Sequence, residues 1–167
     1  VIALFSFPLI IVYPYMKRFT YWPQLVLGLV FSWGILIISI QFNGHISLSS
    51  AILYVGCIFW TLGYDTIYAY QDRKDDIKNN IKSTAVLFGN QGKKYVLLFY
   101  IIFFCIIGYI GFQTSGSIAS IFVIILFLII MMFFLNKWNS ELEGSSNKYF
   151  KFNDFIGLFC FVYLILF

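Results

Sequence analysis

Charge is the first thing this sequence lacks. Of its 167 residues, 11 are Lys or Arg and 7 are Asp or Glu, 11% in all, where a soluble domain carries about 25%. With 61% hydrophobic and 22% aromatic residues and a mean hydropathy of +0.89, the missing charge excludes a water-soluble globule, a disordered tail and a collagen-like chain. Most of the surface must therefore face lipid. Cysteine is also scarce: Cys57, Cys105 and Cys160 are odd in number, sit inside apolar runs and form no CxxC. A disulfide scaffold is excluded, and the three read as small hydrophobes. The lone His45 follows an Asn43-Gly44 turn and reads as a solvated loop residue. The basic residues lie in short breaks rather than on one soluble face, which removes nucleic acid from the candidate partners.

What is present is a series of long apolar runs. A bilayer core about 30 Å thick needs roughly 20 apolar residues in a helix, and six stretches qualify: Val1–Tyr15, Pro23–Phe42, Ser50–Tyr70, Tyr95–Phe112, Ile118–Leu135 and Phe152–Phe167. Runs such as IFVIILFLIIMMFFL lack the period-2 alternation of a β-barrel strand. The expected fold is all-α, a polytopic transmembrane helical bundle forming one membrane domain over 1–167. The chain opens on valine inside an apolar run, with no basic region or cleavage site of a signal peptide. A protein truncated at its N-terminus is the expectation.

Crossing the membrane at each helix puts the first, third and fifth breaks on one side. All eleven basic residues fall there: Lys17, Arg18, Arg73, Lys74, Lys78, Lys82, Lys93, Lys94, Lys137, Lys148 and Lys151. The acids Asp65, Asp72, Asp75, Asp76, Glu141, Glu143 and Asp154 lie on or just inside the same face. The Lys/Arg excess marks that face as cytoplasmic, or as the matrix side in a mitochondrion. Trp22 and Trp138 are placed for an interfacial aromatic belt.

The informative stretch is DTIYAYQDRKDD, Asp65 to Asp76. At about 100° per residue, Asp72 lies roughly 20° from Asp65 and Asp76 roughly 40° from Asp72. Three carboxylates thus share one helical stripe, with Tyr68 beside it. Like charges four apart repel, and a charge near the bilayer boundary is costly, so something must compensate. Two readings stand. One is a charged membrane exit, neutralised by Arg73, Lys74, Lys78 and Lys82. The other is an Asp-x-x-x-Asp pair holding Mg²⁺, a hard ion that takes one or two carboxylates and completes its shell with substrate phosphates.

Two blocks carry a resemblance. YPYMKRFTYWPQLVLG (Tyr13–Gly28) and YDTIYAYQDRKDDIKNNIKSTAVLFG (Tyr64–Gly89) together resemble the 4-hydroxybenzoate polyprenyltransferases of the UbiA superfamily of intramembrane aromatic prenyltransferases. The likeness implies nine transmembrane helices around a central cavity with two facing Asp-rich motifs. The six helices here correspond to the C-terminal part, without the N-terminal helices and the first motif.

The resemblance further implies Mg²⁺-dependent transfer of a polyprenyl group from its diphosphate to 4-hydroxybenzoate, a step of ubiquinone synthesis in a bacterial inner or mitochondrial inner membrane. Asp72 and Asp76 match the second motif as catalytic and metal-binding carboxylates, with Asp75 an auxiliary ligand. Arg18 matches the holder of the acceptor's carboxylate; Lys17 and Lys82 are placed to reach diphosphate, and Asp65 and Tyr68 to line the substrate site. Membrane lipid is the remaining partner, and the 167 residues alone are expected to be inactive. The alternatives are another branch of the superfamily, prenylating a menaquinone, haem or chlorophyll precursor, or a non-catalytic multi-span protein. The last is disfavoured because no span carries a charge at its middle.

Overall fold

The structure, a computed structural model, describes residues 2–142 and 144–167. Val1 and Glu143 lie outside the described residues, and with them the start of the first expected span and one of the seven acids. A 3-10 turn (Ile2–Ser6) leads into α1 (Phe7–Phe19); α2 (Pro23–Phe31), α3 (Trp33–Asn43), α4 (Leu48–Lys78), α5 (Thr84–Phe88), α6 (Gly92–Ser115), α7 (Ile118–Asn136), α8 (Ser145–Lys151) and α9 (Asn153–Leu166) follow. No strand occurs among the described residues. Among the described residues six helical stretches are long and apolar enough to cross a membrane, with α2–α3, α5–α6 and α8–α9 each counting as one.

The helix ends are chemically marked. Pro23 opens α2, where its missing N–H is one of the unpaired ones anyway. Ser47, Ser83 and Ser117 cap α4, α5 and α7 by accepting from the amides of Ser50, Val86 and Ala119. Gly44 (φ +74°) and Gly116 (φ +62°) end α3 and α6 in the left-handed region that favours glycine.

The third span runs on without interruption through the charged stretch to Lys78, as the shared carboxylate stripe expects. One feature differs from the sequence reading. The second span breaks at Ser32, whose amide is shared between the carbonyls of Gly28 and Val30.

Helix α4 is the centre of the arrangement, packing against α2, α3, α6 and α8. The main core joins α4, α6, α7 and α9 around Tyr100, Phe103, Phe104, Ile107, Met131, Ile156 and Tyr163. Outward-facing Phe122, Leu126, Phe133, Phe161 and Ile165 remain exposed, as lipid contact requires. Trp138 corrects the belt assignment. It is only 1% exposed, packs edge-on to Tyr70 and donates to Ser146 Oγ, so its ring serves the core.

Hydrogen bonds between breaks fix which ends lie together. The Lys82 amide donates to the Lys17 carbonyl at 2.9 Å, joining the first and third breaks. Lys93 Nζ donates to the Asn136 carbonyl at 2.8 Å, joining the third and fifth. At the other end Thr114 Oγ1 donates to the carbonyl of Phe167. The basic residues of these joined breaks therefore gather at one end of the bundle, as the charge count predicted.

Candidate functional site

The two sequence blocks meet in space. Gln24, buried at the start of α2, accepts through Oε1 from the Thr84 amide at 3.2 Å. Thr84 Oγ1 in turn lies 2.7 Å from Thr66 Oγ1 on α4, both side chains fully buried. Lys82 Nζ donates to the Phe19 carbonyl at the end of α1 and lies 5.6 Å from the centre of the Tyr21 ring. Trp22 packs edge-on to Phe88 at 5.6 Å. Gln24, Thr66 and Thr84 went unnoticed in the sequence because uncharged polar residues in apolar surroundings show no periodic signal; their positions inside the PQ, DTIYA and KSTA segments were the available clue.

Along α4, Trp60, Tyr64, Tyr68, Asp72 and Asp76 recur every fourth residue. They form a ladder drifting about 40° per step. Trp60 meets Tyr64 edge-on at 5.8 Å and stacks on Phe103. Tyr64 and Tyr68 both pack on Phe150 of α8, at 5.9 and 4.9 Å. Of its three aromatic members only Tyr68, 45% exposed, was singled out in the sequence as a site residue. Trp60 and Tyr64 were readable by stepping back four residues at a time.

Below Tyr68 the ladder lines a mainly apolar cavity of about 900 Å³ between α2, α3, α4, α8 and α9. Phe31, Ser32, Trp60, Tyr64, Phe150 and Asn153 form much of its wall. Tyr64 lies eight residues, about 12 Å of helix, from Asp72.

The carboxylates above the cavity differ in environment. Asp72 and Asp75 are exposed, whereas Asp76 is 5% exposed and its Oδ2 has no hydrogen-bond partner. An unpaired buried acceptor costs about 1–3 kcal/mol, more when charged. All three stand in the last two turns of α4, the negative end of the helix dipole, where carboxylates are disfavoured. Arg73 does not offset them through its head: its guanidinium lies over the Tyr70 ring, 5.7 Å from its centre, and its Nε is also without a partner. Tyr70 itself donates to the Gly89 carbonyl.

This strained carboxylate end fits a divalent cation, which would relieve repulsion, dipole and orphaned oxygen together. Among the described residues no group of three or more His, Cys, Asp or Glu forms a metal cage. Asp72 and Asp76 are two carboxylates four residues apart on α4, one exposed and one buried.

Asp65 is half-buried lower on the same stripe, within electrostatic reach of Lys17 and Tyr13 of α1. Arg18 is exposed at the end of α1. The structure therefore brings Lys17 toward Asp65 and ties Lys82 to the end of α1, with Arg18 at the same end of the bundle as Asp72 and Asp76.

A family model described as the UbiA prenyltransferase family matches residues 1–165. The chain belongs to this family. Its relatives include the mitochondrial 4-hydroxybenzoate polyprenyltransferase of Drosophila melanogaster, 37% identical over 165 residues, which cover 96% of this chain and 41% of that protein. The 4-hydroxybenzoate octaprenyltransferase of Pseudomonas fluorescens is 49% identical over 85 residues, 51% of this chain and 29% of its own. The 4-hydroxybenzoate geranyltransferase 1 of Lithospermum erythrorhizon is 48% identical over 99 residues, 59% and 32% of the two chains. This UbiA-family chain thus spans well under half the length of these relatives. No solved structure is a significant match.

Proposed function

We propose that this chain carries the second carboxylate motif and part of the lipid cavity of a Mg²⁺-dependent prenyltransferase that joins a polyprenyl group, delivered as its diphosphate, to the ring of 4-hydroxybenzoate in ubiquinone synthesis. The observation that supports this most is Asp76: a buried carboxylate oxygen left without a partner, at the wrong end of a helix dipole, on the same helix that lines an apolar cavity. The relatives' names agree on the acceptor and differ in the prenyl group, so the acceptor is carried over without a chain length.

Asp72 and Asp76 would hold the metal, which when bound would offset the charge that builds on the diphosphate as the allylic C–O bond breaks. Asp75 stands beside them. Lys17 and Lys82 add positive charge at the same rim for the diphosphate. Arg18 offers a planar fork suited to the acceptor's carboxylate. Tyr68, Tyr64 and Trp60 stand on α4 between the carboxylates and the cavity, where an aromatic ring attracts an electron-poor allylic carbon. Asp65 lies lower on the same stripe, within electrostatic reach of Lys17. The protein is integral to the membrane, and we place its basic end in the cytoplasm of a bacterium or the matrix of a mitochondrion.

The test is Asp76→Asn in the full-length protein. Product formation should fall at least about 100-fold, the scale of losing a key electrostatic group. The melting temperature should hold or rise, because a neutral amide no longer strands a buried charge. Turnover equal to that of the unchanged protein ends the proposal.

A further inference from the structure

On the opposite side of α4 from the cavity wall formed by α2 and α3, the seam between α6 and α7 carries two adjoining cavities at the basic end of the bundle. One, of about 420 Å³, is an apolar slot walled by Leu97, Ile129, Met132, Phe133 and Leu135, with Lys93 and Asn136 also lining it. The other, of about 490 Å³, is polar and is lined by Asn90, Lys93, Asn136, Lys137, Asn139 and Glu141 among others. Lys93 and Asn136 belong to both, so the two spaces share a wall. From Asn136 back to Ile129 the slot follows seven residues of α7, a depth of about 10 Å.

Lys93 stands at the junction. Its ammonium donates to the Asn136 carbonyl at 2.8 Å, which leaves two of its three N–H donors for another acceptor. Lys137, the next residue after α7, is exposed on the same rim. Glu141 is the carboxylate among the polar lining residues, against two lysines. The carboxamides of Asn90 and Asn139 add neutral donors. Neither lysine takes part in the chemistry proposed above.

A ligand that matches both halves must carry a phosphate at headgroup depth and an aliphatic chain beneath it, and must be net negative to gain from both lysines. Basic pockets between transmembrane helices recognise anionic headgroups in this way. We propose that the α6–α7 seam binds one anionic phospholipid, its phosphate against Lys93 and Lys137 and one acyl chain in the slot below.

The experiment is native mass spectrometry of the full-length protein in mild detergent, titrated with dioleoyl phosphatidylglycerol, with dioleoyl phosphatidylcholine, and with inorganic phosphate. The expected result is a single retained phosphatidylglycerol at roughly tenfold lower concentration than phosphatidylcholine, the scale of two juxtamembrane lysines partly opposed by one carboxylate. Lys93→Gln with Lys137→Gln should bring the two lipids level, Lys93→Arg with Lys137→Arg should keep the preference, and Leu97→Trp should weaken both lipids by filling the slot. Equal retention of the two lipids by the unchanged protein overturns the proposal, as does a preference that survives the double Gln variant. Inorganic phosphate displacing the lipid at matched concentration also overturns it, since the site would then hold an anion alone. Lipid retention is read without turnover, so loss of the enzymatic proposal would leave this one standing, and the reverse.

Discussion

Replacing Asn153 by Leu should cost this protein about 2–4 kcal/mol, and the structure says where the loss comes from. Asn153 Oδ1 accepts from Tyr100 Oη at 2.7 Å and from Trp60 Nε1 at 3.2 Å, while its Nδ2 donates to the carbonyls of Tyr149 and Phe150. Leu fills a similar volume but strands both donors. Tyr100 is fully buried, so its hydroxyl loses a partner with no water to replace it, at about 1–3 kcal/mol. Trp60 borders the cavity, and a hydrogen bond between membrane helices averages nearer about 0.6 kcal/mol. The assay is thermal or denaturant unfolding in detergent, run as a double-mutant cycle with Tyr100→Phe. Tyr100→Phe combined with Asn153→Leu should recover stability relative to Asn153→Leu alone, because it removes the stranded hydroxyl, while Tyr100→Phe in the unaltered protein should destabilise. Asn153→Asp, which keeps the acceptor but turns an oxygen toward the carbonyls of Tyr149 and Phe150, should also destabilise. Additive single-mutant effects, or an Asn153→Leu variant as stable as the parent, would refute the assignment of this side chain as the hub joining α4, α6 and α8.

Other outcomes follow from the same geometry. Gly111→Ala would drive a methyl into the ring of Tyr163, which is buried and donates to the Ser120 carbonyl; a loss of about 1–3 kcal/mol is expected in unfolding. Gly34→Ala, where a methyl meets open space, should be neutral or stabilising by up to about 1 kcal/mol and serves as its control. Thr84→Val leaves the Thr66 hydroxyl without its 2.7 Å partner and should cost about 1–3 kcal/mol, with the Thr66→Val/Thr84→Val pair costing less than the sum of the singles. The 167 residues expressed alone are expected to form no prenylated product, because they carry one aspartate set, Asp72 to Asp76, where the proposed metal–diphosphate site needs two; product from that polypeptide in a radiolabelled prenyl-transfer assay would contradict this.

Much of the architecture was written in one dimension. Apolar runs of bilayer length leave a backbone no choice but helix, since lipid offers no hydrogen-bond partner, and eleven cations confined to alternate breaks orient those helices as a set. The i, i+4 spacing of Asp72 and Asp76 on a continuous helix was equally local, because helical geometry converts spacing into a shared face.

Tertiary structure alone decided what each of those carboxylates experiences. That Asp76 is buried with an unpartnered oxygen while Asp72 stays exposed depends on neighbours brought in from elsewhere in the chain. The same holds for Trp138, whose position suggested a membrane interface until Tyr70 and Ser146 were seen to enclose it. Asn153 looked like any polar residue at a helix start; 53 residues separate it from Tyr100 and 93 from Trp60. Burial and hydrogen-bond partnership are properties of contacts between distant segments, and periodicity within one segment carries no record of them.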